Sequence, residues 1–310
     1  MSRLAVSLPG LQLKNPLMPA SGTFGFGDTH IANSYDLNQL GAIVIKTTTP
    51  NPHAGNPDPK IALLNHNGVM NAVGLQNPGV DAVTHEKIPA IKEHYPDLPL
   101  IASIGGFALE DYERVAKTLN ESDLIAAFEL NISCPNVHHG GMQFGTTPEM
   151  TEQVVKTVRQ CLPNRPLYVK LTPNVTDITA IAKAALAGGA DGLVLINTVL
   201  GLHFDLKTKR PVLGNGMGGY SGPGIKPLAI RMIHQVHQAC PNVPLIGVGG
   251  VETVDDVLEM LLAGANAVQV GSAHFQNPHI LPDLISQLPK RMDELGIATL
   301  SDYIVNRPTW

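Results

Sequence analysis

Short apolar runs recur along the chain at residues 17–22, 42–47, 100–105, 128–134, 167–172, 193–197, 245–250 and 267–272, each closing on small or polar residues. Runs this short and this continuous predict parallel strands buried on both faces, not strands with one wet face. Helical patterns fill most of the gaps. Residues 147–162 begin with Thr147 as N-cap and Pro148 at the first helical position. Residues 176–188 open at Thr176-Asp177 and stop at Gly188-Gly189. Residues 253–263 open at Thr253, carry Asp255 and Asp256 where the helix dipole favours acids, and stop at Gly264. One grammar repeats before residues 42, 193 and 267: a helix ends on Leu, a Gly turns the chain, and a buried strand follows. Strand and helix alternating eight times predict an α/β fold, a (β/α)8 TIM barrel formed by residues 1–310 as a single domain. A doubly wound open sheet is the alternative. Residues 50–80 and 199–225 exceed a minimal barrel. They follow the second and sixth strands, so both are expected as insertions at the C-terminal rim, where barrel active sites are built.

Composition narrows the function classes. Apolar residues make up 44% and charged residues 15% of 310, a core-rich chain for which disorder is excluded. The net charge of −5 and the absence of any basic run argue against a nucleic-acid partner. No apolar stretch is long enough for a membrane span, and Pro9 breaks the start before a secretory core can form. Three cysteines without C-x-x-C spacing fit a reducing cytoplasm. Together these predict a soluble cytoplasmic protein.

At the strand ends stand Ser21, Lys46-Thr47, the stretch from Asn131 to Cys134, Lys170, Asn197-Thr198, Gly249-Gly250 and Gly271-Ser272. Two lysines beside buried runs need anionic partners, and neighbouring sequence offers none, so the anions are expected to be ligands. Glycines after the seventh and eighth strands let a phosphate approach backbone N–H groups, which points to a phosphorylated cofactor; ordinary turn glycine is the bland alternative. Gly214-Asn215-Gly216-Met217-Gly218-Gly219 satisfies G-x-G-x-x-G but lacks the strand–turn–helix context, and reads as a flexible rim loop. His234 and His237, and the adjacent His138-His139, read as exposed histidines without metal spacing. Cys161 and Cys240, near helix ends, read as inert. Cys134 differs: a thiol at the rim near lysines has its pKa lowered and becomes a usable base or nucleophile, the alternative being a small buried side chain.

These residues carry a resemblance. The stretches Pro19-Ala20-Ser21-Gly22, Asn71-Ala72-Val73-Gly74-Leu75-Gln76-Asn77-Pro78-Gly79, Asn131-Ile132-Ser133-Cys134-Pro135-Asn136, Val169-Lys170-Leu171-Thr172-Pro173-Asn174 and Gly247-Val248-Gly249-Gly250 occur in order. With them the chain, from Leu4 to about Ile304, closely resembles the class 1 dihydroorotate dehydrogenases, especially the NAD-linked bacterial catalytic subunits. The resemblance implies a flavin mononucleotide (FMN) barrel that oxidises dihydroorotate to orotate in pyrimidine synthesis, with Cys134 as the catalytic base. It implies substrate contacts from Lys46, Asn71, Asn131, Asn197 and Thr198, with Ala72, Val73, Gly74 and Leu75 beside them. Positions around FMN are matched by Ser21, Lys46, Thr47, Asn131, Lys170 and Ile196, and by Gly222, Gly249, Gly250, Gly271 and Ser272. Ser103 stands where an asparagine is expected and Ser272 where threonine is common; both keep the position polar. The NAD-linked reading further implies a homodimer core joined, as a heterotetramer, to an electron-transfer subunit carrying FAD and an iron–sulfur cluster, since three scattered cysteines cannot ligate a cluster. The alternatives are a fumarate-dependent homodimer of the same class, or another FMN barrel acting on a dihydropyrimidine.

Readings from other classes are also testable. A tRNA dihydrouridine synthase needs a basic surface that this charge balance does not supply. A Schiff-base aldolase would use Lys46 or Lys170 as nucleophile and be colourless. A non-catalytic flavin binder would leave its flavin oxidised in the presence of dihydroorotate.

Overall fold

A computed structural model describes residues 3–133 and 144–308. All eight expected strands are present: β1 (Leu17–Pro19), β2 (Ile43–Val44), β3 (Leu100–Ile104), β4 (Ala127–Asn131), β5 (Leu167–Lys170), β6 (Gly192–Leu195), β7 (Leu245–Val248) and β8 (Ala267–Val270). They pair in parallel in the order β1-β8-β7-β6-β5-β4-β3-β2. At the seam between β1 and β2 the Gly41 N–H donates to Leu17 O at 2.9 Å, bringing the two ends of the sheet together as a barrel. The strands are apolar almost throughout because one face meets the barrel interior and the other meets the surrounding helices.

Helices α1 (Ile88–His94), α2 (Leu109–Asn120), α3 (Pro148–Cys161), α4 (Ile178–Ala187), α5 (Lys226–Ala239), α6 (Val254–Ala263) and α7 (Ile280–Glu294) lie in the connections. Their starts follow the sequence signals. Thr147 accepts from the Met150 N–H, Asp177 from the Thr179 N–H, and Thr253 forms a capping box with Asp256. Gly264, at φ 136, ends α6. The first crossover departs from strict alternation. It holds only the 3₁₀ turns Ala32–Ser34 and Leu37–Gln39, since Gly22, Gly25 and Gly27 take positive φ and break any helix there.

The two rim insertions build one structure together. Strands Val199–Gly201, Gly218–Ser221, Val69–Asn71 and Ile61–Leu63 form an antiparallel sheet in that order. The G-x-G-x-x-G stretch is therefore not a flexible loop throughout. Its last two glycines open a central rim strand, paired on both sides to Gly201 and Asn71 and their neighbours. At the opposite end of the barrel the N-terminal hairpin (Val6–Leu8 with Leu11–Leu13) closes the bottom, and the Tyr168 hydroxyl donates to Pro9 O at 2.8 Å. No helix among the described residues is long and apolar enough to cross a membrane.

Candidate active site

The C-terminal ends of the barrel strands and the rim sheet enclose a cleft of about 1240 Å³, measured out to its open mouth. Most of the expected residues line it: Ser21, Lys46, Thr47, Asn71, Val73, Gly74, Leu75, Asn131, Lys170, Ile196, Asn197, Thr198, Gly249, Gly250, Gly271 and Ser272. Residues from the whole length of the chain thus meet in one cavity. Ala72 is fully buried, its carbonyl accepting from Asn56 Nδ2 at 3.1 Å, and does not border the cleft. Gly222 stands behind the wall, its carbonyl against Gly250. Cys134 and the His138-His139 pair lie outside the described residues.

One wall is a network of side-chain amides and hydroxyls. Asn131 Nδ2 donates to Thr47 Oγ1 at 3.2 Å, and its Oδ1 accepts from the Ser133 N–H and hydroxyl. Asn197 Nδ2 donates in turn to Ser133 Oγ, and Asn197 Oδ1 accepts from the Thr198 N–H at 2.8 Å. Thr47 also joins Ser21 and the fully buried Ser103 through hydroxyl contacts of 3.2 and 2.9 Å. Ser103 thus supports the wall through Thr47. Among the described residues each amide has one N–H without an acceptor after these bonds, and its orientation is fixed by the others. Asn71 reaches the site from the rim sheet, its Nδ2 donating to Gly219 O at 3.3 Å. That strand pair needs glycine at position 219, since a Cβ there would collide with the Thr198 side chain.

The opposite wall is backbone. Among the described residues, none accepts a hydrogen bond from the N–H of Gly250 or Ser272. A Cβ at Gly271 would meet only Ala20 Cβ, at 3.5 Å, so that position opens onto free space. Behind it His274 is fully buried. Its Nδ1 must carry the proton, because it bonds the Gly271 carbonyl at 2.9 Å, and Nε2 has no hydrogen-bond partner among the described residues. Burial therefore pushes the imidazole down to about 4.

Lys170 has protein partners that its neighbours in sequence do not reveal. Its Nζ donates to Gln269 Oε1 at 3.2 Å and stands 3.6 Å from Glu129 Oε1. The expectation that ligands alone supply anions to both lysines is thereby corrected for Lys170. The signal was present, since Glu129 and Gln269 interrupt apolar strands. Asn77, within the same motif as Asn71, is buried and satisfied by the fold. It donates to Thr49 Oγ1 and Leu75 O and accepts from the Thr49 and Gly79 N–H groups. It thereby holds the cleft-lining Gly74 and Leu75 at φ of 73 and 54. His237 is half-buried against Gly264, not exposed as expected, and burial lowers its pKa. Cys240 is buried, and burial pushes the Cys161 thiol up, away from thiolate. Among the described residues no group of three His, Cys, Asp or Glu is arranged to hold a metal.

The family model for dihydroorotate dehydrogenase matches residues 3–292 of this chain. The chain belongs to the dihydroorotate dehydrogenase family. Relatives of two descriptions match at nearly equal distance. The dihydroorotate dehydrogenase A (fumarate) of Lactobacillus helveticus is 54% identical over 299 residues, 96% of each chain. The dihydroorotate dehydrogenase B (NAD(+)), catalytic subunit, of Enterococcus faecalis is 56% identical over 301 residues, 97% of this chain and 95% of that one. The B catalytic subunit of Listeria monocytogenes serotype 4a is 55% identical over 302 residues, 97% of each. This is a family of oxidoreductases, and its members share the barrel described above.

Proposed function

We propose that the chain oxidises dihydroorotate to orotate in the cytoplasm with FMN as resident cofactor, its whole length folding as one FMN-binding unit. One observation carries the reading: in a chain of this family, Lys46, Asn71, Asn131 and Asn197 converge on a cleft whose facing wall is glycine and free amide. The residues suit FMN on three counts. Among the described residues the N–H groups of Gly250 and Ser272 have no acceptor and suit a phosphate, Gly271 leaves room for its approach, and Lys170 keeps two of its three N–H donors after bonding Gln269. When bound, FMN supplies an acceptor for the hydride that leaves the substrate ring.

The rest of the chemistry belongs to the chain. Orotate is planar and anionic with amide edges, and asparagine amides offer both donors and acceptors to such edges. Lys46 balances the anionic charge. Cys134, by resemblance, takes the proton from the ring carbon beside the carbonyl as a thiolate base. Ser133, the residue before it, is held between Asn131 and Asn197.

For the electron acceptor we propose NAD, reached through a partner subunit with FAD and an iron–sulfur cluster, the barrel chains forming a homodimer core within a heterotetramer. The 54% identity to the fumarate-linked A protein of L. helveticus supports a second reading. Co-purification separates them: an isolated, purely flavin-coloured homodimer that reduces fumarate directly defeats the partner. The central test is an anaerobic absorption spectrum. A yellow protein is expected to bleach on addition of dihydroorotate, and a colourless preparation or an unchanged spectrum overturns the function.

A further inference from the structure

One layer beneath the cleft, the barrel interior holds a closed polar triangle. Alternation along β4 puts Glu129 two residues below Asn131, and along β8 puts Gln269 two residues below Gly271, so both point inward under cleft-lining positions. Gln269 spans the barrel between them. Its Nε2 donates to Glu129 Oε2 at 2.6 Å while its Oε1 accepts from Lys170 Nζ at 3.2 Å. The third side is the ion pair, with Lys170 Nζ 3.6 Å from Glu129 Oε1. Glu129 is 1% exposed, Gln269 0% and Lys170 5%, so this is a charge pair removed from water.

A carboxylate so buried is strongly unfavourable unless it serves a charge beside it, and an apolar residue would fill the space at lower cost. The distances show what it serves. At 3.6 Å the carboxylate balances the Lys170 ammonium without occupying its hydrogen bonds, and Oε1 has no hydrogen-bond partner among the described residues. Gln269 occupies a single donor and fixes the position of both ions. Among the described residues Lys170 has two N–H bonds without an acceptor, at the cleft floor, and a charge already compensated from below.

We infer that Glu129 is a positioning residue, the fixed counter-charge of Lys170, and that it sets the reduction potential of the flavin in the cleft. The inference rests on the FMN reading of this same site. A bare ammonium at the floor favours the negatively charged reduced flavin; a carboxylate just below it offsets that preference and holds the potential down.

The test is the midpoint potential of the holoenzyme, measured by spectral titration against reference dyes without substrate. Glu129→Gln keeps the shape and removes the charge. It is expected to raise the potential, giving about tenfold more reduced flavin at a fixed reference potential, the order expected for unmasking one nearby charge. Glu129→Asp keeps the charge but withdraws it by one methylene, and is expected to give a smaller rise. It also serves as the test should the glutamine variant fail to fold. An unchanged or lowered potential in a folded, yellow variant overturns the role of Glu129 and leaves the FMN reading intact. A wild-type chain that holds no flavin overturns both.

Discussion

The two walls of the cleft recognise by different means. On the side of β2, β4 and β6, contact is made by side-chain groups already engaged with one another: Thr47 with Asn131, Asn131 with Ser133, Ser133 with Asn197. On the side of β7 and β8 it is made by glycine and backbone N–H, with His274 bonded behind Gly271. The first wall is selective for functional groups, because each amide has a set orientation. The second is selective for volume, because a backbone donor is lost only when something fills the space before it. Substitution of Asn197, which the resemblance assigns to substrate alone, should therefore change chemistry while sparing cofactor binding, and substitution of Gly271 on the second wall should do the reverse.

The largest effect expected is at Cys134, the base that the resemblance assigns. Cys134→Ala should retain yellow FMN and slow flavin reduction by dihydroorotate by about 10²–10⁴, the usual contribution of a positioned base, in anaerobic stopped flow. Near-wild-type reduction removes the thiol from the mechanism. Next comes Asn197→Ala, which takes a donor from Ser133 and an acceptor from the Thr198 N–H. Orotate affinity, read by perturbation of the flavin spectrum, should fall roughly 10–100-fold with FMN content unchanged; equal loss of FMN would break the division between the walls.

Gly271→Ala probes the other side. Its new methyl meets only Ala20, at 3.5 Å, so the melting temperature without FMN should hold while FMN affinity falls about tenfold. A lowered melting temperature with unchanged affinity would place the glycine in packing alone. The smallest effect is a pH dependence. His274 stays neutral in the fold down to about 4, whereas the unfolded chain protonates it near 6.5. The unfolded state therefore binds more protons between those values. The contribution is complete above pH 6.5 and is lost as pH falls toward 4, at most about 3 kcal/mol. Melting temperature should drop by several degrees across that window, and His274→Leu should flatten the slope. A wild-type curve with no such slope would contradict the buried neutral imidazole.

How far the site was legible follows from which interactions are local. The strand runs, the caps at Thr147, Asp177 and Thr253, and the glycines after β7 and β8 depend on neighbours a few residues away, so they stand plainly in the sequence. Glu129 and Gln269 were visible as polar interruptions in apolar strands, but their use was not. They lie 140 residues apart and meet only because closing the barrel brings β8 opposite β4. The first crossover departs from strand–helix alternation for a local reason, since three nearby glycines at positive φ break the helix that alternation predicts.

By itself, the order of apolar runs, stops and caps predicted the barrel, because each is set by backbone preferences acting over one turn or one strand, and the motifs standing in order carried the resemblance to the family. Tertiary structure decided that the two rim insertions form one sheet, that Ala72 and Gly222 stand behind the cleft wall, and that Lys170 is already paired from below. Each of these depends on which distant segments share a layer, and that is fixed only when the sheet closes and excludes water from its interior.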